Sequence, residues 1–452
     1  MWVRAICKGR LLDLMLSFIA FRLDWLCYGE SFFDIKTKMK NLFDQILDKK
    51  NLQGAYLDLV EKFDIEGKSA KYAGIDGVKL NDLNCTSAEL LEEVLYELEN
   101  YTPLLPALEY EIAKKDGGGR IIYVYAVKDR IKAQAISRVL QPIFEEIYSP
   151  FLFSYRSSQP SYYAAKTIAK RYKKNYGQDT IFQADISEYT ENINKSILEQ
   201  KLKETGLSSG VLRLLRLFMT NSILRDNEVV YPSKGVIQGV PLMTFFANLY
   251  LNDLDKVVGK KVALYRRVGD DFIVFDKDKG KVEMVREMIL NEAKSLGLTI
   301  SEKKTQLINS SESFKFLGYV FSNKTVSIKD SSINRALIRW KRKLKFYPIE
   351  DSEKISRLNN LLFKDPDCIH NEFVQFVSSY RQANDFEQIK DVFSNFLHIL
   401  TKFFFGKYSS KNQRIMQEKL LAKVKVPSLY KYFIDFHNGK KTIAELSLSK
   451  KR

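Results

Sequence analysis

Gly269, Asp270 and Asp271 place two carboxylates side by side between the β-prone runs 263–268 and 272–275. The pattern predicts a tight hairpin with both acids at its tip. Like charges repel and the apolar flanks offer little solvation, so a divalent cation would resolve the conflict. An isolated Gly-Asp-Asp is more often a solvated turn, and its context has to decide. Upstream, residues 181–186 (Ile-Phe-Gln-Ala-Asp-Ile) form another β-prone run, which ends in the acid Asp185. If the two strands lie side by side, Asp185 and Asp270 can share metal ions. Two Mg2+ ions roughly 4 Å apart, bridged by carboxylates, would activate an attacking 3′-hydroxyl and stabilise a leaving pyrophosphate.

Bringing positions 185 and 270 together requires a packed sheet, and the chain is long and apolar enough to build one. Its 452 residues, 45% of them hydrophobic, suffice for about three domains with buried cores. Lys plus Arg number 72 against 55 Asp plus Glu, a formal charge of +17, which points to a polyanionic partner and favours nucleic acid over an anionic membrane. Cys7, Cys27, Cys85 and Cys368 lack paired spacing, and His370, His398 and His437 complete no zinc pattern with them. Reduced, structural cysteines in a cytoplasmic protein are therefore expected. Near the N-terminus, the apolar run 11–21 is too short to span a bilayer. No A-x-A-like cleavage site follows it, and Met39 is an alternative native start, where a clean amphipathic pattern begins.

Residues 39–65 read as one amphipathic helix, and a second helix, capped by Thr86 or Ser87, runs to about Tyr101. Residues 110–124 read as a hairpin whose loop, Asp116 to Gly119, carries Lys114, Lys115 and Arg120 at its tip. Cations beside a glycine loop suit a triphosphate, because backbone can approach closely while the side chains neutralise charge. A long helix follows from Val127 to about Ser149, and beyond it Arg156 is a candidate for a template phosphate or a surface salt bridge. Asp185 leads from its strand into a helix, a helical stretch follows from Ile197 to Ile223, and the chain then reads as a hairpin around Asp226 and Asn227. The glycine-rich stretch 234–241 then lets backbone approach a base pair before a helix begins near Pro241.

In this order the motifs resemble those of a reverse transcriptase. Gly-Ile-Asp-Gly-Val at 74–78 resembles the N-terminal motif of the group II intron-like lineage, and the Lys-Lys, Gly-Gly-Gly-Arg and Val-Lys-Asp-Arg segments from 114 to 130 resemble its fingers. The stretches from Asp185 and Gln238 and the Gly-Asp-Asp at 269–271 resemble motifs A, B and C. Residues 296–305 and 316–321 look like motif D and the primer grip, so the likeness covers about residues 70 to 325. It implies an α+β right-handed polymerase with fingers, a palm built on an antiparallel sheet, a helical thumb and a helical N-terminal extension. Asp185, Ile186, Asp270 and Asp271 would hold two Mg2+ ions, with Mn2+ as a substitute, and Lys304 would serve as general acid near the pyrophosphate. Lys115 and Arg120 would contact the incoming dNTP, Gln238 and Gly239 would line the templating base and sugar, and Phe316, Leu317, Gly318 and Tyr319 would hold the primer end.

Three departures stand out. The residue before Asp270 is Gly269, giving a form common in RNA-dependent RNA polymerases. Five positions after Asp185, where relatives generally carry an aromatic gate against a 2′-hydroxyl, stands Thr190, with Tyr189 one place earlier. Sugar selection then falls to Tyr189 in a shifted backbone or is relaxed. Met243 and Thr244 replace the usual small polar pair of motif B.

After 326 the chain reads as helical. Arg335, Arg339 and Arg342 surround an apolar line of Ile333, Ala336, Leu337, Trp340 and Leu344, the pattern of a helix lying along a duplex backbone. The domain expectation is an extension at 1–70, fingers with the first palm elements at 71–180, palm at 181–325, and an all-α thumb with a loose basic tail at 326–452. No nuclease pattern is visible. Within the resemblance, a bacterial antiphage reverse transcriptase is expected, working on a structured non-coding RNA template, making DNA, and assembling as a homo-oligomer or with a partner protein but not with a membrane. The alternatives are a group II intron-encoded reverse transcriptase and maturase, or an RNA-binding scaffold with a vestigial site.

Overall fold

The computed structural model describes residues 39, 41–66, 73–79, 88–113, 119–345, 375–376, 378–416 and 434–435. At its centre, strand β3 (Thr180–Ser187) pairs antiparallel with β7 (Asp271–Asp276), and β6 (Leu264–Val268) pairs antiparallel with β7 on its far side. The other edge of β3 is shared. Its first half pairs with β9 (Gln306–Asn309) and its end with β8 (Thr299–Ile300). Ile181, Phe182, Ala184, Phe272, Ile273, Val274 and Phe275 are fully buried, which a strand achieves only when both faces are covered. The strand extends the expected run 181–186 by one residue at each end, and β8 supplies partners for Ile186 and Ser187.

A second, four-stranded sheet has the order β2-β1-β4-β5, from β1 (Ala107–Ala113), β2 (Gly119–Val124), β4 (Ile223–Arg225) and β5 (Glu228–Val230). The loop between β1 and β2 lies outside the described residues, and with it Lys115. A third sheet joins β10 (Phe314–Phe316), β11 (Tyr319–Ser322) and β12 (Thr325–Ile328). Tight turns at Asp226 and Asn227, Leu317 and Gly318, and Asn323 and Lys324 each have two successive positive φ angles, as two-residue hairpins prefer. Because β12 completes this sheet, the boundary expected after 325 falls inside a strand, and helix begins only at Asp330.

Two helices replace the single one expected over 39–65. The chain breaks at Asp48 between Leu42–Leu47 and Lys49–Glu66, because the Asp48 carboxylate accepts the N–H groups of Lys50 and Asn51 and caps the second helix. The next helix, Ala88–Glu99, is as expected in kind, but its capping positions lie outside the described residues. Two hydrophobic cores result. One gathers the N-terminal helices, the long helix Val127–Ile147 and helices packed on the central sheet, including Pro241–Tyr250 and Lys279–Ser295. The other joins Ser161–Lys174, the front of the palm, the third sheet and the helices Asp330–Lys345 and Phe386–Phe405. Among the described residues, no helix is long and apolar enough to cross a membrane.

Candidate active site

Strand register, not chain proximity, builds the acidic site. Asp185 of β3 stands directly opposite Asp271 of β7, and Val268 opposite Asp271 leaves Gly269 and Asp270 as a two-residue loop. Only the first loop residue has positive φ, 68° at Gly269, a place where glycine avoids strain. The main chain is held on several sides. The N–H of Ile186 donates to the Asp270 carbonyl at 3.1 Å, that of Ser301 to the Asp185 carbonyl at 2.8 Å, and Arg267 Nη1 to the Gly269 carbonyl at 2.9 Å. One carboxylate oxygen each from Asp185, Asp270 and Asp271 lie within 4.8 Å of one another. Lys304 Nζ sits 2.8 Å from both oxygens of Asp185.

The electrostatics of the cluster are those of a site short of positive charge. Burial, reinforced by Asp270 and Asp185, pushes the Asp271 carboxyl up to about 7. Burial also raises Asp270, with Asp185 adding to the effect. The hydrogen bond to Asp185 holds Lys304 above the ordinary lysine value. Three carboxylates face one ammonium, and all the donors are hard oxygens. That set could hold a hard divalent cation such as Mg2+ or Mn2+, and added positive charge would oppose the upward push on Asp271.

Beside the acids, the loop before Pro241 folds against the segment that follows β3. Gln238 Nε2 donates to Thr190 Oγ1 and to Glu191 Oε1, each at 2.8 Å, while Thr190 donates to Glu191 Oε2 at 2.9 Å. Gly239, at φ 117°, lies so near β2 that a Cβ would stand 2.5 Å from the Tyr123 carbonyl, so only glycine fits. Thr190, Glu191 and Gln238 thus form one hydrogen-bonded group, and the Glu191 charge adds to the upward push on Asp270. Tyr189 does not join it. Its ring is buried in the core and its hydroxyl donates to the Ala247 carbonyl at 2.6 Å, which removes it as a gate facing the nucleotide. Arg120 is fixed only as a backbone position in β2, opposite Ile112.

Other expectations need correction. Arg156 is neither a phosphate contact nor a surface pair. Its buried guanidinium bonds Glu145 Oε2 at 3.0 Å and the carbonyls of Glu145, Ser149 and Leu152, so it ties the loop after Val127–Ile147 to that helix. Phe316 and Tyr319 point into the core, leaving the turn at Leu317 and Gly318 as the accessible part of the expected primer grip. On Asp330–Lys345, Trp340 and Leu344 are buried while Arg335, Arg339 and Arg342 are exposed, as the apolar line predicts. Arg335 reaches Ser332 Oγ at 3.0 Å, and Arg339 reaches Gln375 Oε1 at 3.1 Å. Sequence reasoning missed Glu191, Asp255 and Arg267. For Arg267 the available signal was a charged residue in a β-prone run just before the paired acids.

Comparison with known proteins shows what the chain is similar to. Residues 112–321 match the model of the family described as "Reverse transcriptase (RNA-dependent DNA polymerase)". Protein YkfC of Escherichia coli (strain K12) is 24% identical over 307 residues, which cover 59% of this chain and 80% of that protein. The group II intron-encoded protein LtrA of Lactococcus lactis subsp. cremoris is 22% identical over 56% of this chain and 53% of its own length. The retron Ec48 reverse transcriptase of Escherichia coli is 27% identical over 46% of this chain and 50% of its own length. The chain thus spans about half the length of the last two relatives. Among solved structures, telomerase from Candida albicans bound to a telomeric RNA fragment aligns over 77% of this chain and 70% of that one, with 12% identity and a TM-score of 0.41.

Proposed function

We propose, from the match of residues 112–321 to the reverse transcriptase family, that the chain is an RNA-directed DNA polymerase that extends a 3′-hydroxyl with dNTPs along a structured non-coding RNA, in bacterial antiphage defence. One observation supports the catalytic part above all: the convergence of Asp185, Asp270 and Asp271 within 4.8 Å. Divalent cations held there would acidify the attacking hydroxyl and neutralise charge on the departing pyrophosphate. The chain's own residues complete the arrangement. Asp185 and Asp271 face each other across the strand pair, and Asp270 closes the site from the turn. Lys304, once released from Asp185, carries from Nζ the proton that the leaving pyrophosphate needs. Exposed Arg335 and Arg342 meet the phosphates of the product duplex.

Sugar selection is relaxed in this reading, because the position five after Asp185 is polar Thr190 bonded to Gln238, and Tyr189 is occupied in the core. Single-nucleotide extension with dNTPs and rNTPs tests this, and strict dNTP use would overturn it. The biological part is tested by sequencing the nucleic acid that copurifies with the protein and by challenging cells with phage. Protection by the wild type and none by Asp270→Ala is expected, whereas equal protection by both would favour the RNA-binding scaffold. The similarity to an intron-encoded protein keeps a second reading open, a group II intron reverse transcriptase and maturase, which copurifying intron RNA would favour.

A further inference from the structure

Arg267 lies directly behind the acidic turn, and its side chain is completely buried. Three sets of contacts converge on it. Nε lies 2.9 and 3.0 Å from the two carboxylate oxygens of Asp255, and Nη2 lies 2.7 Å from Asp255 Oδ2. Nη2 also donates to the Asn248 carbonyl at 3.2 Å, and Nη1 donates to the Gly269 carbonyl at 2.9 Å. Asp255 is steadied in turn by the Tyr265 hydroxyl at 2.7 Å. Asn248 lies in the last turn of the Pro241–Tyr250 helix, which follows the Gln238 loop, and its side chain exchanges hydrogen bonds with Ser154. The backbone of Arg267 adds hydrogen bonds with Phe151 and Phe153.

A core ion pair needs only two partners, yet this guanidinium also spends one N–H on the carbonyl of the residue before Asp270. Burial works against the charged guanidinium, but Asp255 outweighs it and holds the Arg267 value above the ordinary one, so the donor is permanently charged. Charge-assisted bonds of this kind are short and directional. Glycine resists backbone motion least of all residues, so the bond to the Gly269 carbonyl adds to the hold that the Ile186 N–H has on the neighbouring Asp270 carbonyl.

We propose that Arg267 is the positioning residue of the catalytic turn: anchored by Asp255, it fixes the Gly269 carbonyl and so sets where Asp270 and Asp271 present their oxygens to a cation. This rests on the reading that the three acids bind divalent metal. It also makes the turn answer to the helix that follows the Gln238 loop, because the same guanidinium holds the Asn248 carbonyl.

Mn2+ titration followed by electron paramagnetic resonance, thermal unfolding, and separate kcat and KM for a dNTP provide the test on the full chain. Replacing a buried ion pair by apolar residues of similar volume commonly preserves folding, so Arg267→Met combined with Asp255→Leu keeps the core while releasing the turn. Its melting temperature is expected near the wild-type value, its Mn2+ dissociation constant about tenfold higher, and its kcat lower by 10- to 100-fold on the order set by one lost positioning bond, with KM little changed. Arg267→Lys is the second variant. Its ammonium can stay with Asp255 but lacks the fork to reach Gly269 as well, so the same split between kcat and KM is expected. Wild-type Mn2+ affinity and kcat in either folded variant would overturn the proposal, and so would failure of both variants to fold, which would make the pair a core element alone. Asp185→Asn separates the two readings. If it binds Mn2+ as well as wild type, the metal reading itself fails, whereas loss of Mn2+ in Asp185→Asn with normal binding in the Arg267 variants refutes only the positioning role.

Discussion

Two clusters of buried or half-buried charge stand back to back in the palm, and only one is complete. Behind the turn, Arg267 and Asp255 are fully buried, each satisfied by the other and by neighbouring carbonyl or hydroxyl groups. In front of it, Asp185, Asp270 and Asp271 crowd together with a single lysine whose side chain is 63% exposed. Desolvation is severe in both places, and the protein answers it with a full set of partners in one and leaves the other wanting positive charge. The complete cluster holds the turn from behind; the incomplete one is the proposed place for a cation and a substrate.

The sharpest way to break this contrast is to remove an acid. Asp185→Asn should lower kcat by roughly 10³-fold, about 4 kcal/mol of transition-state stabilisation, in primer extension on RNA, without unfolding the protein. The complete cluster should respond in the opposite manner. Asp255→Ala leaves Arg267 without its counter-charge and should cost about 3–5 kcal/mol in denaturant unfolding, far more than the apolar double replacement.

A smaller effect lies in pH. Asp271 titrates near 7 in the folded, metal-free protein against an ordinary value of 3.8, so folding favours its protonated form. Its contribution to stability is present at low pH and is lost as pH rises from about 4 through 7. Asp271→Asn should therefore flatten that decline in metal-free thermal unfolding, and it should also abolish the stabilisation that Mg2+ gives the wild type. A decline of unchanged steepness would place its origin elsewhere. Smallest of all, Arg335→Ala on the exposed thumb face should reduce the salt slope of RNA–DNA duplex binding by about 1, with little change in kcat.

What could be read from the sequence follows the same division. The paired acids, the turn glycine and the apolar line of Asp330–Lys345 were legible because their chemistry is local: a tight turn needs glycine, and a helix buries every third or fourth residue. Asp185 could be named a partner of the Gly-Asp-Asp turn, but the register that sets it opposite Asp271 depends on three strands. Arginines were the least legible. Arg156 and Arg267 look in sequence like Arg335 or Arg342, yet the first two are buried clamps and the others face solvent, because an arginine's role depends on carbonyls and carboxylates brought from elsewhere in the chain. Of the two alternatives for sugar selection, the Tyr189 gate fails for a related reason: the carbonyl of Ala247, 58 residues away, occupies its hydroxyl. Asp48 breaks a helix that its neighbours' periodicity would have continued, since periodicity does not register a capping carboxylate.

The most direct measurement is extension of a primed RNA template by dNTPs across a Mg2+ titration, with wild type and Asp270→Asn side by side. Metal-dependent DNA synthesis by the wild type and at most a trace by the variant is the predicted result. Comparable synthesis by the variant, or synthesis by the wild type that chelator does not abolish, would contradict the assignment of catalysis to the three converging carboxylates.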